Sequence, residues 1–260
     1  MTYREIEVTL AVTAHDPEDV IHRLEELPSI GEYGLRPSGP LAIRDVYLDA
    51  EGGALREVGL GLRIRTVGDR TLITLKGPKE SVVGGATCRR EFEAPWSMES
   101  LAVLLRRLED AGVRAPGEPS ELMVHGLALD VMVALGLTPV HVRSTDRCPR
   151  EVFRKAEPDV NLAELVIDSV AYEIQGRTVW HREVEIEVRP PGGISVMQHV
   201  AEELLAQWRP SLRRWNHGKR ATGEAIEQLA ECGRLEDLIG PGESLTPAAY
   251  DIMDEWINGN

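Results

Sequence analysis

Polar and apolar residues alternate with period two along several stretches of the chain, the pattern of strands with one buried face. In residues 3–12, Ile6, Val8 and Leu10 share one face, while Glu5, Glu7 and Thr9 share the other. The same alternation marks residues 42–49, 60–66, 71–76, 89–94, 139–147, 164–174 and 178–188. Residues 67–70 and 175–177 read as short turns that join neighbouring strands into hairpins. Helical spacing is rarer. Asp16 and Pro17 open a helix running to about Leu27, with a capping carboxylate and a proline at its first position. Further helices are predicted over 97–111, 120–135, 195–208 and 219–230, and a short one from Thr246-Pro247 to Ile257. The glycine- and proline-rich segment 31–40 reads as a mobile loop. Strands that seldom alternate with helices predict an antiparallel α+β fold rather than a doubly wound one.

The polar strand faces are unusual. A solvated face of an antiparallel sheet mixes Lys, Thr, Ser and Gln. Here charge is sorted by strand: Glu5 and Glu7; Arg63 and Arg65; Thr74 and Lys76; Glu91 and Glu93; His141, Arg143 and Arg147; Glu164 and Asp168; and Glu183, Glu185 and Glu187. Glutamates at i, i+2 and i+4 on one face place carboxylates within about 7 Å of their neighbours, which is repulsive unless cations lie among them. Carboxylate oxygens suit Mg²⁺ and Mn²⁺, and magnesium binds one or two carboxylates together with substrate phosphates. Arginine forks suit phosphate oxygens. The plain alternative is a set of cross-strand ion pairs on a wet sheet, each contributing up to ~1 kcal/mol. Any one pair fits that alternative, but random surface charge does not segregate by strand.

Composition narrows the partners. The chain carries 29 Lys and Arg against 43 Asp and Glu, a net charge of −14, which argues against a nucleic-acid coat. Its basic residues must then concentrate wherever an anionic substrate sits. The three cysteines, Cys88, Cys148 and Cys232, have neither zinc-knuckle nor disulfide spacing. No apolar run approaches the ~20 residues of a membrane helix, and the N-terminus shows no apolar leader. A reducing cytoplasm is the expected compartment, with no membrane and no nucleic acid as partner. His181 shares the parity of the acidic triplet and reads either as a contact to a lumen ligand or as a solvated strand edge, Cys148-Pro149 as a strand end, and His141 as a structural hydrogen-bonding residue.

The order of these segments resembles the CYTH superfamily of triphosphate tunnel metalloenzymes. Glu5-Ile6-Glu7 resembles the family's ExExK opening, and Asp45–Asp49, Leu62–Arg65 and residues 72–78 (LITLKGP) resemble its early strands. Residues 90–93 (REFE), 164–168 (ELVID) and 183–187 (EVEIE) resemble its later strands, and 216–230 its closing segment. The resemblance spans about residues 3–230. It implies an eight-stranded antiparallel β-tunnel, a closed barrel with a polar lumen and helices packed outside. It places that domain at 1–232, followed by an acidic C-terminal tail with a short helix at 233–260. It further implies Glu5, Glu7, Asp168, Glu185 and Glu187 as metal ligands for Mg²⁺ or Mn²⁺. Glu5, Glu7, Glu185 and Glu187 would thereby serve catalysis. Arg63, Arg65, Lys76, Arg143, Arg147 and Lys219 would contact the triphosphate, with Arg147 replacing or assisting Arg143. Glu91, Glu93, Glu164 and Glu183 would line the lumen.

The implied activity is metal-dependent hydrolysis of a small-molecule triphosphate: inorganic tripolyphosphate, thiamine triphosphate or a nucleoside triphosphate. Adenylyl cyclisation and non-catalytic polyphosphate or nucleotide binding are the alternatives, and a homodimer is an admissible assembly. One position departs from the family pattern. Thr9 stands where ExExK has its lysine, and a hydroxyl supplies a hydrogen bond but no charge. The tail from 235 to 260 has six acidic residues and no Lys or Arg, with Tyr250, Met253, Trp256 and Ile257 at near-helical spacing. That stripe predicts an amphipathic helix docked on the outside of the barrel.

Overall fold

The computed structural model describes residues 2–82, 86–115, 117 and 126–259. The strands are β1 (Thr2–Val12), β2 (Ser29–Ile30), β3 (Tyr33–Pro37), β4 (Leu41–Asp49), β5 (Gly61–Val67), β6 (Arg70–Lys76), β7 (Glu80–Val82), β8 (Ala86–Pro95), β9 (Thr138–Arg154), β10 (Ala163–Ile174), β11 (Arg177–Val188) and β12 (Leu212–Arg214). The helices are α1 (Pro17–Glu25), α2 (Ala54–Glu57), α3 (Met98–Asp110), α4 (Ala128–Ala134), α5 (Ile194–Gln207), α6 (Lys219–Glu231) and α7 (Pro247–Gly259). The hydrogen-bonded order β10-β11-β1-β8-β6-β5-β4-β9 returns to β10 through a β9–β10 pairing. Eight strands therefore form a closed antiparallel barrel in an α+β fold. Among the described residues no helix is long and apolar enough to cross a membrane.

The chain divides into two compact units. The first holds Met1–Glu5, Ile43–Glu80 and Cys88–Arg143; the second holds Ile6–Ala42, Ser81–Thr87 and Ser144–Asn260. In the first unit, Leu48, Leu62, Ile64, Ile73, Leu75 and Phe92 form one strand face. Leu101, Leu104 and Leu108 of α3 and Val131 and Met132 of α4 cover it. Ser97 caps α3: its hydroxyl accepts from the Ser100 amide, and Ser100 Oγ accepts from the Ser97 amide. The helix expected over 120–135 is shorter: α4 begins at Ala128, after an extended Leu127, and residues 120–125 lie outside the described residues.

The second unit has two cores. Val8, Leu10, Leu165, Ile167, Val184 and Ile186 meet α1 through Val20, Ile21 and Leu24, and α5 through Met197, Val200 and Leu204. Asp16 caps α1 by accepting from the Asp19 amide. The second core joins Ala11, Val170, Tyr172 and Val179 to Ile226 and Leu229 of α6 and Tyr250 and Met253 of α7. Ala11 pairs with Glu183, and Val170 and Val179 keep the parity of Asp168 and His181. The tail helix thus packs on the strand face that carries the carboxylates. An amphipathic stripe shows that a helix is covered but not which sheet face covers it.

Two loop expectations are corrected. Residues 33–37 form β3, paired in register with β9 from Arg154 to Arg150. Tyr33 and Leu35 alternate into the core, and Gly34 lets the Phe153 ring lie over the strand, since a Cβ there would fall 2.4 Å from it. Strand β9 does not end at Cys148-Pro149: Pro149 offers its carbonyl to the Ser38 amide and the strand runs on to Arg154. Because α7 supplies core, Met253→Ala should cost ~2–5 kcal/mol of unfolding free energy in a urea titration. A loss within ~0.5 kcal/mol would show that the tail frays without consequence.

Candidate functional site

In the first unit the polar strand face is built by register. Asp45 lies opposite Arg65, Tyr47 opposite Arg63, Arg63 opposite Thr74, Thr74 opposite Glu93 and Lys76 opposite Glu91. The residues between them belong to the core, so the alternation itself turns every charge to one side. Arg65 donates to both oxygens of Asp45, from Nε at 2.8 Å and Nη2 at 3.0 Å. Arg143 Nη2 donates to Asp45 Oδ2 at 2.8 Å, and its guanidinium stacks over Tyr47 at 5.0 Å. Arg63 Nη1 is 3.7 Å from Asp45 and donates to Tyr47 OH at 3.4 Å. Three guanidiniums therefore share one carboxylate, and Asp45 and Arg143 are 1 % and 2 % exposed.

The titration directions report the sign of the local field. Burial alone would raise Asp45, yet Arg63, Arg143 and Arg65 hold it well below the usual carboxylate range. The Tyr47 phenol is lowered in the same way: burial opposes, but Arg143 and Arg63 prevail. Positive charge is in excess there. Nearby, Lys76 Nζ donates to both oxygens of Glu5, at 2.8 and 2.6 Å, and lies 3.1 Å from Glu91. Burial raises the Glu91 carboxyl against the pull of Lys76, and the neighbouring Glu5 carboxylate adds to the rise.

The second unit gathers the opposite charge. Asp168 pairs with Glu183, Val166 with Glu185 and Glu164 with Glu187 across β10 and β11. On the other side of β11, Glu7 lies opposite Glu187 and Thr9 opposite Glu185. One oxygen from each of Asp168, Glu183 and Glu185 falls within 4.8 Å of the others. Lys219, the first residue of α6, reaches into this group. Its Nζ is 2.9 Å from Asp168 and 2.6 Å from Glu185, and it also contacts Glu183. Arg147 donates to both Asp168 oxygens, at 2.8 and 2.6 Å, and to Glu185 at 3.1 Å. Burial would raise Asp168, but Lys219 and Arg147 lower it. Lys219 is raised, because Glu183, Glu185 and Asp168 outweigh its own burial.

The expected site residues thus fall into two sets. Glu5, Arg63, Arg65, Lys76 and Arg143 belong to the first unit; Glu7, Arg147, Asp168, Glu185, Glu187 and Lys219 belong to the second. Within the implied ligand set, Asp168 and Glu185 share a group with Glu183, a residue expected only to line the lumen. Glu5 is held by Lys76, and Glu187 by Arg189, which also donates to Glu164 at 2.8 Å. Arg147 shares Asp168 and Glu185 with Lys219 in the second unit, and Arg143 pairs with Asp45 in the first. Asp45 was missed as a site residue, although its parity with Tyr47, opposite Arg65 and Arg63, was readable from the alternation. Of the two readings of His181 the solvated edge is corrected: the residue is fully buried on the face of the acidic triplet and bonded to Glu183 and Tyr250.

Burial sets the charged groups of each unit apart from a wet sheet. Asp45, Glu91, Asp168 and Glu183 are each at most 2 % exposed, where surface ion pairs would keep their water. The Asp168, Glu183 and Glu185 group offers oxygen donors only, the set preferred by Mg²⁺ and Mn²⁺. A family model described as the CYTH domain matches residues 4–210. No curated protein matches the chain. A Hippeastrum protein, described as a candidate adenylyl cyclase with a dominant triphosphatase activity, is 17 % identical in sequence. The superposition covers 85 % of this chain and 95 % of that one, with a TM-score of 0.57. A Bacillus halodurans protein described as a candidate adenylate cyclase is 18 % identical. There the coverage is 83 % of this chain and 96 % of that one, at a TM-score of 0.48.

Asp45→Asn should destabilise the protein by ~3–5 kcal/mol at neutral pH, because three guanidiniums would lose their shared counter-charge. Since the folded pKa of Asp45 is depressed, its contribution is complete above the ordinary carboxylate value of ~3.9. It is lost as pH falls from there through the folded value. The wild-type advantage over Asp45→Asn should therefore stay constant from pH 7 to about 5 and shrink below ~3.9 in urea titrations. A difference that grows on acidification would contradict the assignment.

Proposed function

The chain belongs to the CYTH family, and on that premise we propose that it hydrolyses the terminal phosphoanhydride of a small-molecule triphosphate with a divalent cation. The observation that carries this reading is the segregation of buried charge. Guanidiniums are in excess around Asp45, and carboxylates are in excess around Asp168, Glu183 and Glu185. Neither excess favours the folded chain by itself. Each is suited to a partner of opposite sign: phosphate oxygens for the first, a divalent cation for the second. The Hippeastrum protein, with its described triphosphatase activity and shared fold, is consistent with this assignment.

In this reading Arg63, Arg65 and Arg143 take the phosphate oxygens. Their forks are already oriented by Asp45 and Tyr47, so little ordering remains to be done on binding. Lys76 adds a further cation, steadied by Glu5 and Glu91. Asp168, Glu183 and Glu185 would hold the divalent ion, and the resemblance adds Glu5, Glu7 and Glu187 to the candidates. The ion supplies charge neutralisation of the phosphates and polarisation of the attacking water. Lys219 and Arg147 then balance the remaining charge of the group and present N–H donors to equatorial oxygens. No serine or cysteine nucleophile is needed, because phosphoryl transfer relies on positioning and electrostatics.

The test is product analysis with tripolyphosphate and with ATP in Mg²⁺ or Mn²⁺. Orthophosphate is expected; pyrophosphate with cyclic nucleotide would identify a cyclase instead, and binding without product a receptor. Arg63→Ala should weaken tripolyphosphate binding roughly tenfold to a hundredfold in calorimetry, the loss of one charge-assisted hydrogen bond. Glu185→Gln should abolish the metal-dependent rate while leaving the fold intact. Equal affinity and rate in both variants would sink the site.

A further inference from the structure

Behind the carboxylate group of the second unit runs a buried chain of hydrogen bonds. His181 Nε2 is 2.8 Å from Glu183 Oε2, and His181 Nδ1 is 2.9 Å from Tyr250 OH. The other Glu183 oxygen contacts Lys219 Nζ, which also meets Asp168 and Glu185. Tyr250 belongs to α7, well beyond the residues 4–210 matched by the family model. Its ring stands edge-on to Trp215 at 5.3 Å, and Trp215 Nε1 donates to Thr222 Oγ1 of α6 at 3.0 Å. Arg213 lies over both rings and donates to the Tyr250 carbonyl at 3.1 Å. The hydroxyl therefore occupies a fixed place.

Donors and acceptors along this chain run one way. An ionised Glu183 only accepts, so His181 Nε2 carries the proton. Nδ1 then faces the Tyr250 hydroxyl, which can donate to it. Burial pushes the Tyr250 phenol up, which keeps it a donor. Each link fixes the next: Glu183 selects the tautomer, and without the hydroxyl the imidazole loses the second anchor that fixes its rotamer, so Glu183 loses a fixed donor.

We propose that Tyr250 and His181 are positioning residues for Lys219, holding its ammonium through Glu183 in the place from which it acts on the phosphates. This assignment of Lys219 rests on the function proposed above. The tail is then part of the working site, although it lies outside the family segment. A purely structural role for Tyr250 would stabilise α7 without reference to Lys219, and the two roles separate by coupling.

The experiment compares wild type, Tyr250→Phe, Lys219→Met and the double variant. Tyr250→Phe keeps the ring on Trp215 and removes only the hydroxyl. Calorimetry with magnesium tripolyphosphate should show roughly three- to thirtyfold weaker binding in Tyr250→Phe, and no further loss when it is added to Lys219→Met. Additive losses would overturn the proposal. If Tyr250→Phe does not fold, His181→Gln and His181→Leu replace it. The glutamine can still donate to Glu183 and should retain tighter binding than the leucine; equal binding counts against the relay. A readout without substrate comes from ¹⁵N-lysine NMR, where the Lys219 ammonium should exchange with solvent roughly tenfold faster in Tyr250→Phe, the effect of one lost hydrogen bond. Equal exchange overturns the relay whatever the substrate results. Faster exchange together with Lys219→Met binding as tightly as wild type upholds the relay and removes Lys219 from the phosphate site.

Discussion

Buried charge is the constraint on which the rest of this structure depends. Moving an ion out of water costs several kcal/mol even after relaxation, so a charged side chain persists inside a protein only when counter-charges and hydrogen bonds surround it. Asp45 with its three guanidiniums and Lys219 with its three carboxylates are two solutions to that requirement. In each, the majority charge exceeds the minority. A fold optimised for stability alone would match the numbers or replace the groups with apolar ones. Keeping an excess is useful where a ligand of the opposite sign completes the balance.

The second cluster explains why the C-terminal elements matter. Strands β10 and β11 bring Asp168, Glu183 and Glu185 together, but they supply no cation of their own to the group. Lys219 comes from the start of α6, and α6 is held in turn by α7 through Ile226, Leu229, Tyr250 and Met253. The same face of β10 and β11 changes from carboxylates to Val170, Tyr172 and Val179 along its length, and the apolar end receives these helices. Polar and apolar functions thus share one strand face, divided by position along the strand rather than by side. Thr9 lies opposite Glu185 on that face. A lysine there would bring a third ammonium or guanidinium to a group that Lys219 and Arg147 already pair.

Much of the fold was legible in the chain because period-two alternation is a local property. The long strands, the faces they present and the cap of α1 follow from neighbouring residues alone. Segments whose structure depends on a distant partner were not legible. Strand β3 looks like a loop by composition, yet Tyr33 and Leu35 find a core only because β9 lies beside it. The continuation of β9 past Pro149 has the same origin, since pairing with β3 and β10 outweighs a local breaker.

The sequence by itself determined which residues are charged, which strand carries them and which side of that strand they occupy. Those facts depend on residue type and a fixed two-residue repeat, and they were enough to place Arg63 with Arg65, Glu164 with Asp168, and Glu183 with Glu185 and Glu187 on single strand faces. Only the tertiary structure decided how the charges were partnered. Asp45 became the shared counter-ion of three arginines, Arg147 joined Lys219 on Asp168 and Glu185, and His181 became a buried link to Tyr250. Pairing depends on distances between residues far apart in the chain, and Coulomb energy and desolvation change steeply with those distances and with burial. Neither quantity exists until the sheet has closed and the helices have packed.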